Sequence, residues 1–206
     1  LLLCAASVQA FAKTATLRHP SSLRATESLP PGDFEYRIGI LGDLHVDPRD
    51  LEHTYIGRDH MKAHNPDFII SLGDLGESKD CTESKHLYAG TTPCMDLVRG
   101  YLDGFGVPFD IVGGNHDLEG IDEFDTDQDN LDAFLRIMGK NAPNFCHEIA
   151  PKTLLVGLGS TKFREATYTS HEVFVDAEQV KWFEDLVASK PAEEGWSIFC
   201  FSHAPI

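Results

Sequence analysis

The sequence predicts an α/β fold built in layers. Three observations lead there. Five short apolar runs, rich in β-branched and aromatic residues, alternate along the chain with segments of helical periodicity. Several runs are apolar at nearly every position rather than every second one, as strands buried on both faces are. Four of the five then break into Gly or Ser followed by Asp, Asn or His, so polar side chains collect at carboxyl ends of strands, where open α/β sheets bind ligands.

Taken in order, "PPG" at 30–32 separates an N-terminal segment, 1–31, from a folded domain, 32–206. "YRIGIL" (36–41) is the first expected strand, 49–64 a helix, and "FIISL" (68–72) the second strand. Segment 76–95 has no regular pattern and reads as a long loop able to cover a site at the strand ends. A helix over 94–103 places Cys94, Leu97, Val98, Tyr101 and Leu102 on one face. "FDIV" (109–112) is the third strand, and a helix over 130–139 carries Leu131, Phe134, Leu135 and Met138. "TLLVGL" (153–158) is the fourth strand. Asp176 and Gln179 then make a capping-box pattern, opening a helix whose inner stripe is Val180, Phe183, Leu186 and Val187. "SIFCFS" (197–202) is the fifth strand.

Composition limits the partners. With 206 residues, 42% of them hydrophobic, the chain can bury one sizeable core. No apolar run reaches the ~20 residues of a membrane span. The net charge of −16 argues against nucleic acid, whose phosphates need a basic face. Residues 1–31 hold Lys13, Arg18 and Arg24 against Glu27, so the remainder carries −18. A domain this acidic, if it acts on an anion, needs cations bound locally.

The first ten residues, "LLLCAASVQA", have the apolar core and small Val8 and Ala10 of a signal-peptide cleavage site. The following "FAKTATLRHPSSLRATES" has transit-peptide composition. Together they resemble the two-part plastid presequence of algae with complex plastids, with secretion or endomembrane delivery as the alternative. Cys146 and Cys200 lie in strand runs and are expected to be small buried apolar residues. Cys81 and Cys94 flank a polar stretch, and a bridge between them is open; no C-x-x-C pair exists for a zinc ribbon.

The four polar strand ends are Gly42-Asp43-Leu44-His45, Gly73-Asp74, Gly113-Gly114-Asn115-His116-Asp117 and Ser202-His203. Singly, each carboxylate reads as ordinary turn chemistry. Together, carboxylates, imidazoles and an amide delivered to one sheet edge are a metal-ligand set. In the order D-x-H, G-D, G-N-H-D, H, the chain resembles the calcineurin-like metallophosphoesterase superfamily over 36–206. The resemblance implies a four-layer αββα sandwich with two divalent or trivalent metal ions at its edge. It puts Asp43 and His45 on the first metal, Asp74 bridging both through its two oxygens, and Asn115 and His203 on the second. Such a mixed set suits Mn, Zn or Fe better than Ca. It implies a metal-bridged hydroxide that attacks a phosphoric ester, with His116 beside the leaving group and Asp117 fixing and activating His116.

The superfamily's G-H-x-H element does not follow His203 before Ile206, so a C-terminally truncated domain is expected, with weak metal binding and slow turnover. "GDLGE" lacks the D-R-G of protein Ser/Thr phosphatases, and Asp117 stands where those enzymes carry Glu. The D-x-H motif, with no Tyr after Asp74, departs from purple acid phosphatases. Small phosphomonoesters, phosphodiesters and nucleotide pyrophosphates remain as substrates. The alternative is a catalytically silent binding or scaffold member of the fold, which would have no use for His116.

Other polar clusters carry less. His53, His60 and His64 share a helical region with no glutamate base and read as a solvated face. His86, His147 and His171 have no assigned role. Asp125, Asp127 and Asp129 alternate, but an EF-hand loop needs Gly at Asn130 and Glu at Arg136. The run 117–130 is therefore expected to be an acidic loop near the site's mouth, capping a helix from about Asn130.

Overall fold

Parallel pairing of three strands that end at or near glycine sets the architecture. The computed structural model describes residues 3–8, 36–77, 88–164 and 173–203. Strands β1 (Leu3–Val8), β2 (Tyr36–Leu41), β3 (Phe68–Ser71) and β4 (Phe109–Ile111) form one sheet in that order. β2, β3 and β4 run parallel, with Ile40 beside Ile70 and Ile70 beside Asp110, while β1 is antiparallel to β2. Helices α1 (Leu51–Lys62) and α2 (Thr92–Asp103) cross between the parallel strands, and α3 (Asp127–Met138) follows β4. The second sheet holds β5 (Phe145–Ala150), β6 (Thr153–Leu158) and β7 (Ser197–Ser202) in that order. β5 is antiparallel to β6 and β7 parallel to it, with α4 (Ala177–Ala188) as the connection.

Alternation along the strands sorts the layers. Ile38, Phe68, Ile70 and Val112 face Phe145, Ile149 and Leu155 of the second sheet. Leu41, Ile69 and Ile111 point the other way, into a core shared with Met61, Val98, Tyr101 and Phe134 of the helices. Both faces of β2–β4 thus meet apolar layers, which is why these runs are apolar nearly throughout. The expected α/β sandwich with flanking helices is the observed one. Polar groups also meet at these sheets: Asp110 on β4 meets His147 Nε2 at 2.7 Å and also the Lys140 ammonium. Burial opposes its ionisation, but those two partners hold the carboxyl below its ordinary value. His147 thus has a structural place, tying β5 to β4.

Local chemistry moves several boundaries. α2 begins at Thr92 because Thr91 caps it, accepting from Cys94 N at 3.4 Å, so the irregular stretch after Asp74 ends earlier than expected. α3 begins at Asp127 rather than near Asn130, with Thr126 Oγ1 accepting from Asp129 N at 3.1 Å. Asp127 then accepts from the backbone N–H groups of Phe163 and Arg164 at 2.9 and 2.8 Å. Part of the acidic run is therefore a helix first turn, where carboxylates are favourable, and a tether for the 163–164 loop.

Asp176 caps α4 as expected, accepting from Gln179 N at 2.9 Å. The Gln179 amide does not complete the capping box on the Asp176 backbone; it binds both backbone groups of Gly159, at 3.0 and 2.8 Å. The expected inner stripe of α4 is not buried: Val180 and Val187 are 45% and 42% exposed, and Phe183 and Leu186 are only half-buried. Gln179 is the one buried residue on this helix.

The expectation for Cys146 and Cys200 also fails, since both are exposed. They sit on the two outer strands of the second sheet, each in register with Val156 of β6. An apolar run on an edge strand need not be covered on both faces. Cys94 is a free, buried thiol; Cys81 lies outside the described residues, as do His86 and His171. Among the described residues no helix is long and apolar enough to cross a membrane.

Candidate metal centre

Four loops leave the strands at one edge, held to one another by backbone and side-chain hydrogen bonds and by close backbone approach. His45 N and Val46 N donate to Asp74 O and Leu75 O at 2.9 and 2.8 Å, joining the first loop to the second. The second joins the third where Gly73, at φ +89°, passes against Gly114. A Cβ on Gly114 would lie 2.2 Å from Asp74 Oδ1 and 2.7 Å from Asp74 N, so this approach requires glycine. Gly114→Ala is expected to cost about 1–3 kcal/mol of stability, read by thermal denaturation, because the colliding atoms are backbone and a fixed carboxylate. His45 and Asp74 themselves hold left-handed backbone, φ 40° and 49°, a mild strain concentrated on two candidate ligands.

The side chains gather around a single atom. Asp74 Oδ2 lies 3.4 Å from His203 Nε2, 3.8 Å from His116 Nε2 and 4.0 Å from His45 Nε2. His203 Nε2 is also 3.1 Å from Asn115 Oδ1, and its Nδ1 is 3.7 Å from Asp43 Oδ1. Asp43, Asp74, His45, Asn115, His116 and His203 are therefore brought together, from loops spread over most of the described chain. The His203 ring is oriented from behind: its Nδ1 donates to the Leu72 carbonyl at 2.8 Å. A carbonyl can only accept, so in the neutral ring the Nε2 lone pair faces Asp74 and Asn115.

The donor set fits a cation. Three imidazole nitrogens stand 3.4–4.0 Å from one carboxylate oxygen, long for hydrogen bonds yet spaced as ligands of a shared ion are. Donor atoms of Asp43, Asp74 and His203 all lie within 4.8 Å of one another. His45 Nδ1 is buried with no hydrogen-bond partner. Without an ion, burial opposes the charge on Asp74, but hydrogen bonding and attraction from His203, then His116, outweigh it and hold the carboxyl below its ordinary value. Burial likewise opposes protonation of His203, yet Asp74 and the Leu72 carbonyl raise its pKa to about 9.

One expectation changes here. Asp74 Oδ1 accepts from His116 N at 3.0 Å, while Oδ2 is the oxygen that faces the imidazoles. The role implied for Asp117 is to orient His116. Its carboxylate is instead filled by three amides: Oδ2 accepts from Asp74 N and Gly114 N at 3.1 and 2.7 Å, and Oδ1 from Leu75 N at 2.9 Å. Burial, then the neighbouring Asp74 charge, push the Asp117 carboxyl up to about 7 against those donors. The group on His116 Nδ1 is Glu119, whose Oε2 lies 2.7 Å away. Sequence reasoning missed Glu119; the available signal was its place three residues after His116.

Comparison with known proteins bears on family and fold. Residues 36–206 match the family model of the calcineurin-like phosphoesterases. The fold is similar to a dimetal phosphatase from Danio rerio, with a TM-score of 0.60 and 13% identity, over 82% of this chain and 70% of that one. A search of curated proteins gave no match. The match spans more than half of the sequence, and the chain belongs to the calcineurin-like phosphoesterase family.

Proposed function

We propose that this chain hydrolyses a small phosphomonoester, phosphodiester or nucleotide pyrophosphate at a two-metal centre. The observation that carries the reading is the ring of three imidazole Nε2 atoms around Asp74 Oδ2, with Asp43 and Asn115 beside it. Asp43, His45, Asp74, Asn115 and His203 would hold the ions, and the mixed oxygen and nitrogen donors favour Mn, Zn or Fe. Bound cations supply Lewis acidity and charge neutralisation at the phosphoryl group. His116 is the side chain placed to move a proton. It reaches the cluster through Nε2, while its Nδ1 is engaged from behind. An anionic substrate entering an acidic chain of net charge −16 also needs that local positive charge.

Metal analysis of the purified chain, followed by turnover of bis-p-nitrophenyl phosphate with added Mn, tests the reading. Bound metal and metal-dependent release of p-nitrophenolate are expected. Neither metal nor turnover in a chain that also carries a G-H-x-H element after His203 would favour a scaffold protein.

The N-terminal composition supports delivery through the secretory route to a complex plastid. Cleavage after Ala10 would remove β1 and leave β2 as a sheet edge. Imaging of an N-terminal fusion of residues 1–31 to a fluorescent protein tests the address, and mass spectrometry of the mature N-terminus tests the cut.

A further inference from the structure

We infer that Glu119 is the positioning residue of His116, fixing the ring so that Nδ1 carries a proton toward Glu119 and Nε2 is presented to the reacting phosphoester. The inference rests on the phosphoesterase reading for its catalytic meaning, but its geometry stands separately.

Residues His116–Leu118 form a single 3₁₀ turn, closed by Glu119 N donating to His116 O at 3.2 Å. In a 3₁₀ turn, side chains three residues apart eclipse. Glu119 is thereby stacked over His116, while Asp117, one residue on, is turned away into the backbone amides of the neighbouring loops. This explains why the adjacent carboxylate does not orient the imidazole and the more distant one does.

Glu119 is 5% exposed, and the contact from its Oε2 to His116 Nδ1 is 2.7 Å. At 2.7 Å the pair is an ion-pair contact whose angle falls short of a hydrogen bond, so Oε2 has the ring as its close charged neighbour, and a carboxylate that has left water needs at least that. The segment behind it is fixed as well. Gly120 N donates to Asn130 Oδ1 at 2.9 Å, and Asn130 Nδ2 donates to Gly90 O at 2.8 Å from a fully buried position on α3. The imidazole is thus held between a buried carboxylate on one nitrogen and the Asp74 cluster on the other, 3.8 Å from Oδ2. A ring so held cannot flip without losing the Glu119 contact. A group that hands a proton to a leaving oxygen gains from that constraint, because geometry governs proton transfer first.

The test uses the full chain in two arms. Long-range ¹H–¹⁵N NMR of the histidine rings, assigned by His116→Gln, reads the tautomer directly and needs no activity. A proton on Nδ1 is expected, moving toward an even Nδ1/Nε2 mixture in Glu119→Leu. A wild-type ring protonated on Nε2 alone would overturn the inference. The second arm compares aryl phosphodiesters of graded leaving-group basicity in wild type and Glu119→Gln. Turnover is expected to fall by about tenfold or more for poor leaving groups and little for p-nitrophenolate, with KM unchanged. An equal loss for every ester would also overturn it, by marking Glu119 as merely structural. Absence of turnover in wild type would instead count against the phosphoesterase reading, and the NMR arm would still decide on Glu119.

Discussion

Asp74→Asn is expected to abolish stable metal binding and to lower phosphodiester turnover by about 10²-fold or more. The substitution keeps the shape of the side chain and can keep the Oδ1 contact with His116 N, so the loops still close. It removes the negative charge that three imidazoles face. Metal content of the purified variant, by elemental analysis, is the first readout.

The second readout is stability against pH in chelator. In wild type, His203 is raised from its ordinary 6.5 to about 9 by Asp74. A group raised on folding contributes fully below its unfolded value and loses that contribution as pH climbs through the folded one. The metal-free wild-type chain should therefore lose stability between about pH 6.5 and 9, and the Asp74→Asn variant should lose less. Equal alkaline slopes would show that Asp74 and His203 do not interact as the structure places them. Unchanged metal content would place the ion elsewhere.

The parts of this centre that were legible in the sequence were those set by chain position. A glycine or serine ending an apolar strand fixes where the next polar residue emerges, so Asp43, Asp74, Asn115 and His203 were readable as a convergent set. The β2–β4 strands were legible for a related reason, since burial on both faces leaves few polar positions within the runs. What was not legible depended on side-chain direction inside a turn. Asp117 and Glu119 are both acidic and both close to His116 in sequence. Only the 3₁₀ geometry, with its threefold repeat, decides which one reaches the ring. The α4 stripe failed for another reason: periodicity shows that a helix has an apolar face, not that a partner covers it. Cys146 and Cys200 failed alike, because an outer strand of a sheet looks in sequence like a central one.

Asp117→Ala is expected to destabilise the chain by about 3 kcal/mol or more, out of the roughly 5–15 kcal/mol that a domain commonly has. Its carboxylate accepts from Asp74 N, Gly114 N and Leu75 N. Truncation strands these donors in a buried space, at about 1–3 kcal/mol for each one left unsatisfied, less whatever relaxation recovers. The same bonds hold the second loop to the third, so Asp74 and Asn115 should lose their mutual placement before the sheet melts.

Asp117→Asn separates this staple from the role expected of an imidazole partner. An amide oxygen at the Oδ2 position can still serve Asp74 N and Gly114 N, while its NH₂ group opposes Leu75 N, so the cost should be smaller than for Ala. The pH dependence has a definite sign. With its carboxyl raised from 3.8 to about 7, Asp117 contributes most below pH 3.8 and loses that contribution as pH rises through 7. The deficit of the Asp117→Asn variant relative to wild type should therefore shrink between about pH 3.8 and pH 7, measured by urea denaturation in chelator. If Asp117→Ala instead melts like wild type and loses turnover only on esters with poor leaving groups, Asp117 rather than Glu119 serves His116, and the staple assignment is wrong.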